Sequence, residues 1–128
     1  MSGPISSFLV AVIDDDRSIL RSLEYLLESA DYAVIVFTSA SALLEGGSLP
    51  RIDCLISDID MPGMDGFELL RLVTATRPAL PVILITGYPD RLERLKAPRG
   101  NNPRFFTKPF HGPELLAAVS DALRTGKA

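Results

Sequence analysis

The sequence predicts an α/β protein built on a parallel sheet, and three observations carry that reading. Short apolar runs stop abruptly at polar residues, as strands covered on both faces do. Between them lie stretches whose apolar residues recur at three- and four-residue intervals, the spacing of an amphipathic helix. The two patterns alternate along the whole chain.

The first strand is the apolar run from Phe8 to Ile13, which halts at Asp14-Asp15-Asp16. A helix follows, with Ile19, Leu20, Leu23, Leu26, Leu27 and Ala30 on one side and Arg17, Arg21, Glu24 and Glu28 between them. Ala33 to Phe37 is β-branched and apolar, a second strand. Ser39 or Ser41 can cap a short helix through Ala42, Leu43 and Leu44, ended by Gly46-Gly47. Ile52 to Ser57 reads as the third strand. After the turn Met61-Pro62-Gly63-Met64, Asp65 caps a helix in which Glu68 stands where a capping box places it, and Phe67, Leu69, Leu70 and Val73 form its apolar side. Pro78 closes that unit. Pro81 to Ile85 gives a fourth strand and Arg104 to Thr107 a short fifth; Pro113 opens a last helix carrying Leu115, Leu116, Val119 and Leu123.

At 128 residues the chain suits one domain, with a core over about residues 7–125 and no room for an output domain after the last helix. Apolar residues make up 47%, enough for a hydrophobic core without disulfides. With 13 basic and 16 acidic side chains the net charge is -3, which offers no general attraction to nucleic acid or an anionic membrane. The single cysteine, Cys54, sits in an apolar run and reads as a small buried hydrophobe. No secretory leader or membrane span is legible, so a cytoplasmic protein is expected.

Parallel strands joined by right-handed crossovers gather their carboxyl ends on one edge, where such sheets bind ligands. The residues there are Asp14, Asp15 and Asp16 after strand 1, Asp58 and Asp60 after strand 3, Thr86 after strand 4 and Lys108 after strand 5. If strands 1 and 3 are neighbours, Asp14, Asp15 and Asp58 converge and repel unless a proton or a cation intervenes. Carboxylate oxygens suit Mg²⁺, or Mn²⁺, better than zinc, which favours His and Cys. Lys108 offers a positive charge and Thr86 a hydroxyl donor, both useful to a group with several anionic oxygens. One carboxylate could attack phosphorus and hold the product as an acyl phosphate.

The segments Val12-Ile13-Asp14-Asp15-Asp16, Ser57-Asp58-Ile59-Asp60-Met61-Pro62-Gly63-Met64-Asp65-Gly66, Ile85-Thr86-Gly87 and Thr107-Lys108-Pro109-Phe110 closely resemble the motifs of two-component receiver domains. Each alone is weakly specific, but four in order after the right strands cover nearly the whole chain. The resemblance implies a doubly wound, flavodoxin-like five-stranded sheet of order 2-1-3-4-5. It implies that Asp58 accepts the phosphoryl group, that Asp14 and Asp15 organise the metal with Asp15 a direct ligand, and that the Asp60 backbone carbonyl completes the metal shell. Thr86 and Lys108 match the groups that engage a bound phosphoryl oxygen, and Phe105 the aromatic that repacks on activation. The side chains of Asp60 and Tyr88 are candidates for tuning phosphoryl lifetime, and the Lys108-Pro109 peptide is expected to be cis. A sensor histidine kinase or a phosphotransfer protein is the implied donor. A downstream protein or an effector domain outside this chain is the implied output, and a homodimer is allowed. The mechanism implied is a population shift toward the state that brings Thr86 and Lys108 onto the phosphoryl oxygens.

The stretch from Tyr88 to Pro103 departs from the family pattern: its prolines and Gly100-Asn101-Asn102 should end a short helix near Ala97 and leave an irregular loop. Relatives commonly use the face next to this segment for output, so partner assignment there does not transfer. Its basic residues Arg91, Arg94, Lys96, Arg99 and Arg104 read as a solvated surface, with a specific acidic partner as the alternative. Asp16 reads as a helix cap, His111 as an exposed or capping residue at the mouth of the last helix, and Met61 and Met64 as packing groups. Tyr88 either shields an acyl phosphate or packs.

Rival readings differ in class. Asp58-Ile59-Asp60 also matches the Asp-x-Asp of haloacid-dehalogenase-like phosphatases, but there it usually follows the first strand, whereas here the acidic cluster comes first. A flavodoxin-like nucleotide or flavin binder would need Gly, Ser or Thr after strand 1, where this chain has aspartates. A degenerate receiver acting as a binding scaffold is the third alternative. The chain is either a stand-alone receiver or part of a longer regulator.

Overall fold

The computed structural model describes residues 8–88, 90 and 104–126. In chain order these form β1 (Leu9–Ile13), α1 (Arg17–Ser29), β2 (Ala33–Phe37), α2 (Ala40–Glu45), a 3-10 turn (Leu49–Arg51), β3 (Cys54–Asp58), α3 (Gly66–Thr76), β4 (Val82–Thr86), β5 (Arg104–Thr107) and α4 (Gly112–Gly126). The short helix expected to end near Ala97 lies outside the described residues.

The five strands are parallel in the order β2-β1-β3-β4-β5. Alternate residues of the inner strands serve opposite faces. Ala11, Ile13, Leu55, Val82 and Leu84 join Ala40 and Leu43 of α2 and Leu69, Leu70 and Val73 of α3 in one apolar cluster. Val10, Val12, Cys54, Ile56, Ile83 and Ile85 meet Leu20, Leu23 and Leu27 of α1 and Leu115, Val119 and Leu123 of α4 in the other. Helices thus cover both faces, which is why β1, β3 and β4 read as unbroken apolar runs.

The helix ends follow local chemistry. The Asp16 side chain accepts from the Ser18 backbone N–H and starts α1. Ser39, not Ser41, caps α2. Asp65 and Glu68 form a reciprocal capping box at α3. The residue before Pro78, Arg77, leaves the helical region and ends α3.

Strand limits move by one or two residues. β1 begins at Leu9 rather than Phe8. β3 covers Cys54–Asp58 rather than Ile52 to Ser57, because the 3-10 turn delivers Ile52 into the core from outside the sheet. β4 covers Val82–Thr86 rather than Pro81 to Ile85. Asp58 and Thr86 are therefore the last residues of their strands, held by the ladder itself, and α4 starts one residue before Pro113.

Candidate functional site

Register assembles the site. β1 and β3 pair Ile13 with Ser57, so Asp14 and Asp58 emerge side by side one step later. β3 pairs Asp58 with Ile85, and β4 pairs Thr86 with Thr107, which places Thr86 and Lys108 on the far side. The Lys108 backbone N–H donates to the Thr86 carbonyl at 2.8 Å, fixing the chain where β5 ends. The next peptide, Lys108–Pro109, is cis.

A cleft of about 540 Å³ opens over these strand ends, lined by Asp14, Asp15, Asp16, Asp58, Asp60, Gly87, Tyr88 and Lys108. Carboxylate oxygens of Asp14, Asp15 and Asp58 lie within 4.8 Å of one another. Asp14 and Asp58 are buried and Asp15 is exposed at the rim. Lys108 Nζ donates to Asp14 Oδ2 at 3.1 Å and stands 3.3 Å from Asp58 Oδ1. That second contact is an ion pair without hydrogen-bond geometry, so Asp58 Oδ1 is buried with no hydrogen-bond partner.

Protonation follows from this crowding. Burial first, and then the neighbouring Asp14 charge, pushes the Asp58 carboxyl up to about 6, against the pull of Lys108 and of the Asp60 backbone N–H. Burial also raises Asp14, although the Asp16 N–H and Lys108 favour its charged form. Burial opposes the Lys108 ammonium, but its hydrogen bond to Asp14 and the attraction of Asp14 and Asp58 outweigh that and lift its pKa. One lysine among three convergent carboxylates leaves excess negative charge, and the donors are all hard oxygens. That chemistry suits a divalent cation of the Mg²⁺ class, which Asp14, Asp15 and Asp58 are placed to hold.

Thr86 is fully buried beneath the cleft, and its hydroxyl donates to Asp60 Oδ2 at 2.6 Å rather than turning to Asp58. Phe105 does not line the cleft; it packs, half-buried, against the apolar cluster under α2 and α3. Tyr88 is 62% exposed and lines the wall of the cleft. Met61 and Met64 pack against the core, Cys54 is buried with its thiol pushed up to about 12 by desolvation, and His111 is exposed with its carbonyl receiving the Leu115 N–H of α4.

Gly66 was missed as a site residue. A Cβ there would stand 2.8 Å from both the Asp58 carbonyl oxygen and the Ile59 Cα, so only glycine lets α3 start against the peptide that carries Asp58. Its N–H donates to the Ile59 carbonyl at 3.0 Å. The available signal was a glycine as the first residue of a capped helix, where a better helix former would normally stand.

A family model for the response regulator receiver domain matches residues 10–120. The chain belongs to the response-regulator receiver family. Receivers are signalling proteins that work as phosphoacceptor switches, so the hydrolase and flavin-binder readings are not favoured. This receiver is 37% identical over 117 residues to the transcriptional regulatory protein FixJ of Bradyrhizobium diazoefficiens, covering 90% of the chain and 56% of that protein. It is 39% identical over 122 residues to the C4-dicarboxylate transport transcriptional regulatory protein DctD of Rhizobium meliloti, covering 95% of the chain and 26% of that protein. Full-length FixJ from B. japonicum superimposes with a TM-score of 0.81 at 35% identity, over 95% of this chain and 60% of that one. A receiver domain from Clostridium thermocellum matches with a TM-score of 0.81 at 26% identity, covering 94% of this chain and 97% of that one. The chain thus spans about half or less of the curated regulators. No helix among the described residues is long and apolar enough to cross a membrane.

Proposed function

We propose that Asp58 is the phosphoacceptor of this receiver and that Asp14 and Asp15, with Asp58 and the backbone carbonyl of Asp60, hold a Mg²⁺ ion beside it. The observation that carries the assignment is the state of Asp58: 3% exposed, facing Lys108 and the Asp14 carboxylate, with one oxygen that no hydrogen bond engages. A carboxylate held that way is a nucleophile whose lone pairs are not spent on structure.

In the transfer, an Asp58 oxygen forms a bond to phosphorus as the bond from phosphorus to the donor's leaving group breaks. The donor is a phosphohistidine of a sensor kinase or phosphotransfer protein, or a small acyl phosphate, and its leaving group departs with the bonding electron pair. Mg²⁺, when bound, neutralises charge developing on the phosphoryl oxygens. Lys108 lies between Asp14 and Asp58 and supplies a positive charge to the same oxygens. Thr86 and Phe105 then report the modification, Thr86 by turning its hydroxyl to a phosphoryl oxygen and Phe105 by repacking against its apolar neighbours. Asp60 and exposed Tyr88 line the approach of water to the acyl phosphate and set its lifetime.

The FixJ and DctD relatives are named as transcriptional regulators, and this receiver correspondingly passes its state to an effector domain or a separate protein partner. Its net charge of -3 argues against direct contact with nucleic acid.

Intact-mass spectrometry after incubation with acetyl phosphate and Mg²⁺ tests the chemistry. One phosphoryl group is expected on the native chain, none on Asp58→Ala, and none in the presence of chelator. A native chain that gains nothing, even at short times, would instead be a scaffold working without phosphorylation.

A further inference from the structure

Thr86 is the group expected to bind the modified Asp58, yet its hydroxyl is already engaged on both sides. Its single proton goes to Asp60 Oδ2 at 2.6 Å, the length of a charge-assisted O–H···O⁻ bond, and its oxygen accepts the Tyr88 N–H at 2.9 Å. The Tyr88 carbonyl is a second acceptor within reach of that proton but stands 3.4 Å away, and the side chain is fully buried, so the short bond to Asp60 is the stronger of the two. Asp60 itself stands two residues beyond Asp58, on a turn whose path is fixed by the Ile59 N–H to Ile85 carbonyl bond at 2.9 Å and by the close seat of Gly66. A hydroxyl has one proton to donate, so Thr86 cannot serve Asp60 and a group on Asp58 together.

We propose that the Asp60 carboxylate is a latch: it holds Thr86 in the unmodified position, and switching requires that this hydrogen bond be broken. The proposal rests on reading Asp58 as the acceptor. A latch of this kind lowers the fraction of molecules ready to bind a phosphoryl group, and apparent affinity falls by that fraction. Asp60 also lines the cleft that the group would enter, so the added negative charge repels the carboxylate left behind once Thr86 departs. Asp60 is a positioning residue here, acting through Thr86.

The experiment has two arms. In the unliganded protein, three-bond couplings and methyl shifts of Thr86 report its rotamer. Native protein should show one rotamer and Asp60→Ala a mixture; a single unchanged rotamer in the variant overturns the latch, and this arm does not depend on phosphorylation at all. In the second arm, beryllofluoride with Mg²⁺ is titrated into native protein, Asp60→Ala, Thr86→Val and the double variant. Loss of one charge-assisted hydrogen bond should tighten binding about tenfold in Asp60→Ala, with Asp60→Asn in between, and the gain should vanish when Thr86 is already Val. An equal gain in both backgrounds would mean that Asp60 acts through its charge alone and removes the latch. If no variant and no native protein binds beryllofluoride, the acceptor reading falls while the rotamer arm still decides whether Asp60 holds Thr86.

Discussion

Two aspartates five residues apart on the same stretch of chain are held in opposite ways. Asp53, just before β3, accepts the Leu9 N–H on Oδ2 at 2.8 Å, while its own N–H donates to the Leu9 carbonyl at 2.7 Å. It closes the ladder at the amino end of the sheet, joining β1 to β3 through its backbone and its side chain together. Asp58, at the carboxyl end of β3, is more buried, ion-paired to Lys108, crowded by Asp14 and missing a hydrogen bond on Oδ1. A satisfied carboxylate contributes to stability; a buried one that lacks full compensation costs stability and persists where function requires it.

Neutralising Asp58 should give the largest effect, and it should run in two directions. Asp58→Asn abolishes phosphoryl incorporation yet stabilises the metal-free fold. The native carboxyl is held at about 6 against an ordinary 3.8, so between those values the folded state retains a proton the unfolded chain has lost. Stability of the metal-free protein therefore falls as pH rises through that window, by about 3 kcal/mol for a rise of this size. The raised Asp14 contributes in the same direction. Urea unfolding of native and Asp58→Asn proteins across about pH 4 to 7 should show the gap widening toward neutrality, and Mg²⁺ should narrow it by binding the native pocket only. Parallel pH profiles for the two proteins would mean that Asp58 is not strained.

How far this contrast was legible in the sequence differs between its halves. Asp14, Asp58, Thr86 and Lys108 could be placed together because parallel strands deliver their carboxyl ends to one edge, and the apolar runs marked where those ends fall. The runs could not mark them to the residue: Ile52 is as apolar as any strand member, but it enters the core from the 3-10 turn, which shifts β3 toward Asp58. The Asp60–Thr86 hydrogen bond joins residues 26 apart and depends on the β3–β4 register and on side-chain rotamers, neither of which a sequence pattern contains. Asp53 interrupts an apolar run, and the partner that explains it is a backbone group 44 residues away, which no local pattern contains.

Gly66→Ala probes the support beneath the strained end. The added methyl would stand 2.8 Å from the Asp58 carbonyl oxygen, a backbone atom that the β3–β4 ladder holds in place. Overpacking of this sort costs about 1–3 kcal/mol, and the displacement falls on the peptide carrying the acceptor. Reduced denaturation midpoint together with slower phosphoryl incorporation from acetyl phosphate is the expected pair. A variant that loses stability but incorporates phosphate at the native rate would show that Asp58 is positioned by the ladder without help from α3.

Asp53→Ala is the smaller change and the complement of the first. It removes the acceptor of the Leu9 N–H at a half-buried position, which should cost about 1–2 kcal/mol, and the cost should fall mainly on unfolding because the adjoining backbone bond from Asp53 N–H to the Leu9 carbonyl survives. Asp53→Asn retains an acceptor oxygen for that N–H and should recover most of the loss. Neither variant should alter the phosphoryl gain seen by mass or its dependence on Mg²⁺, since β1 and β3 remain paired through Ile13 and Ser57 next to the site. A drop in incorporation at unchanged stability would break the division between the two ends of the sheet, because it would mean that the amino end sets the geometry of Asp14 and Asp58 as well as the strength of the fold.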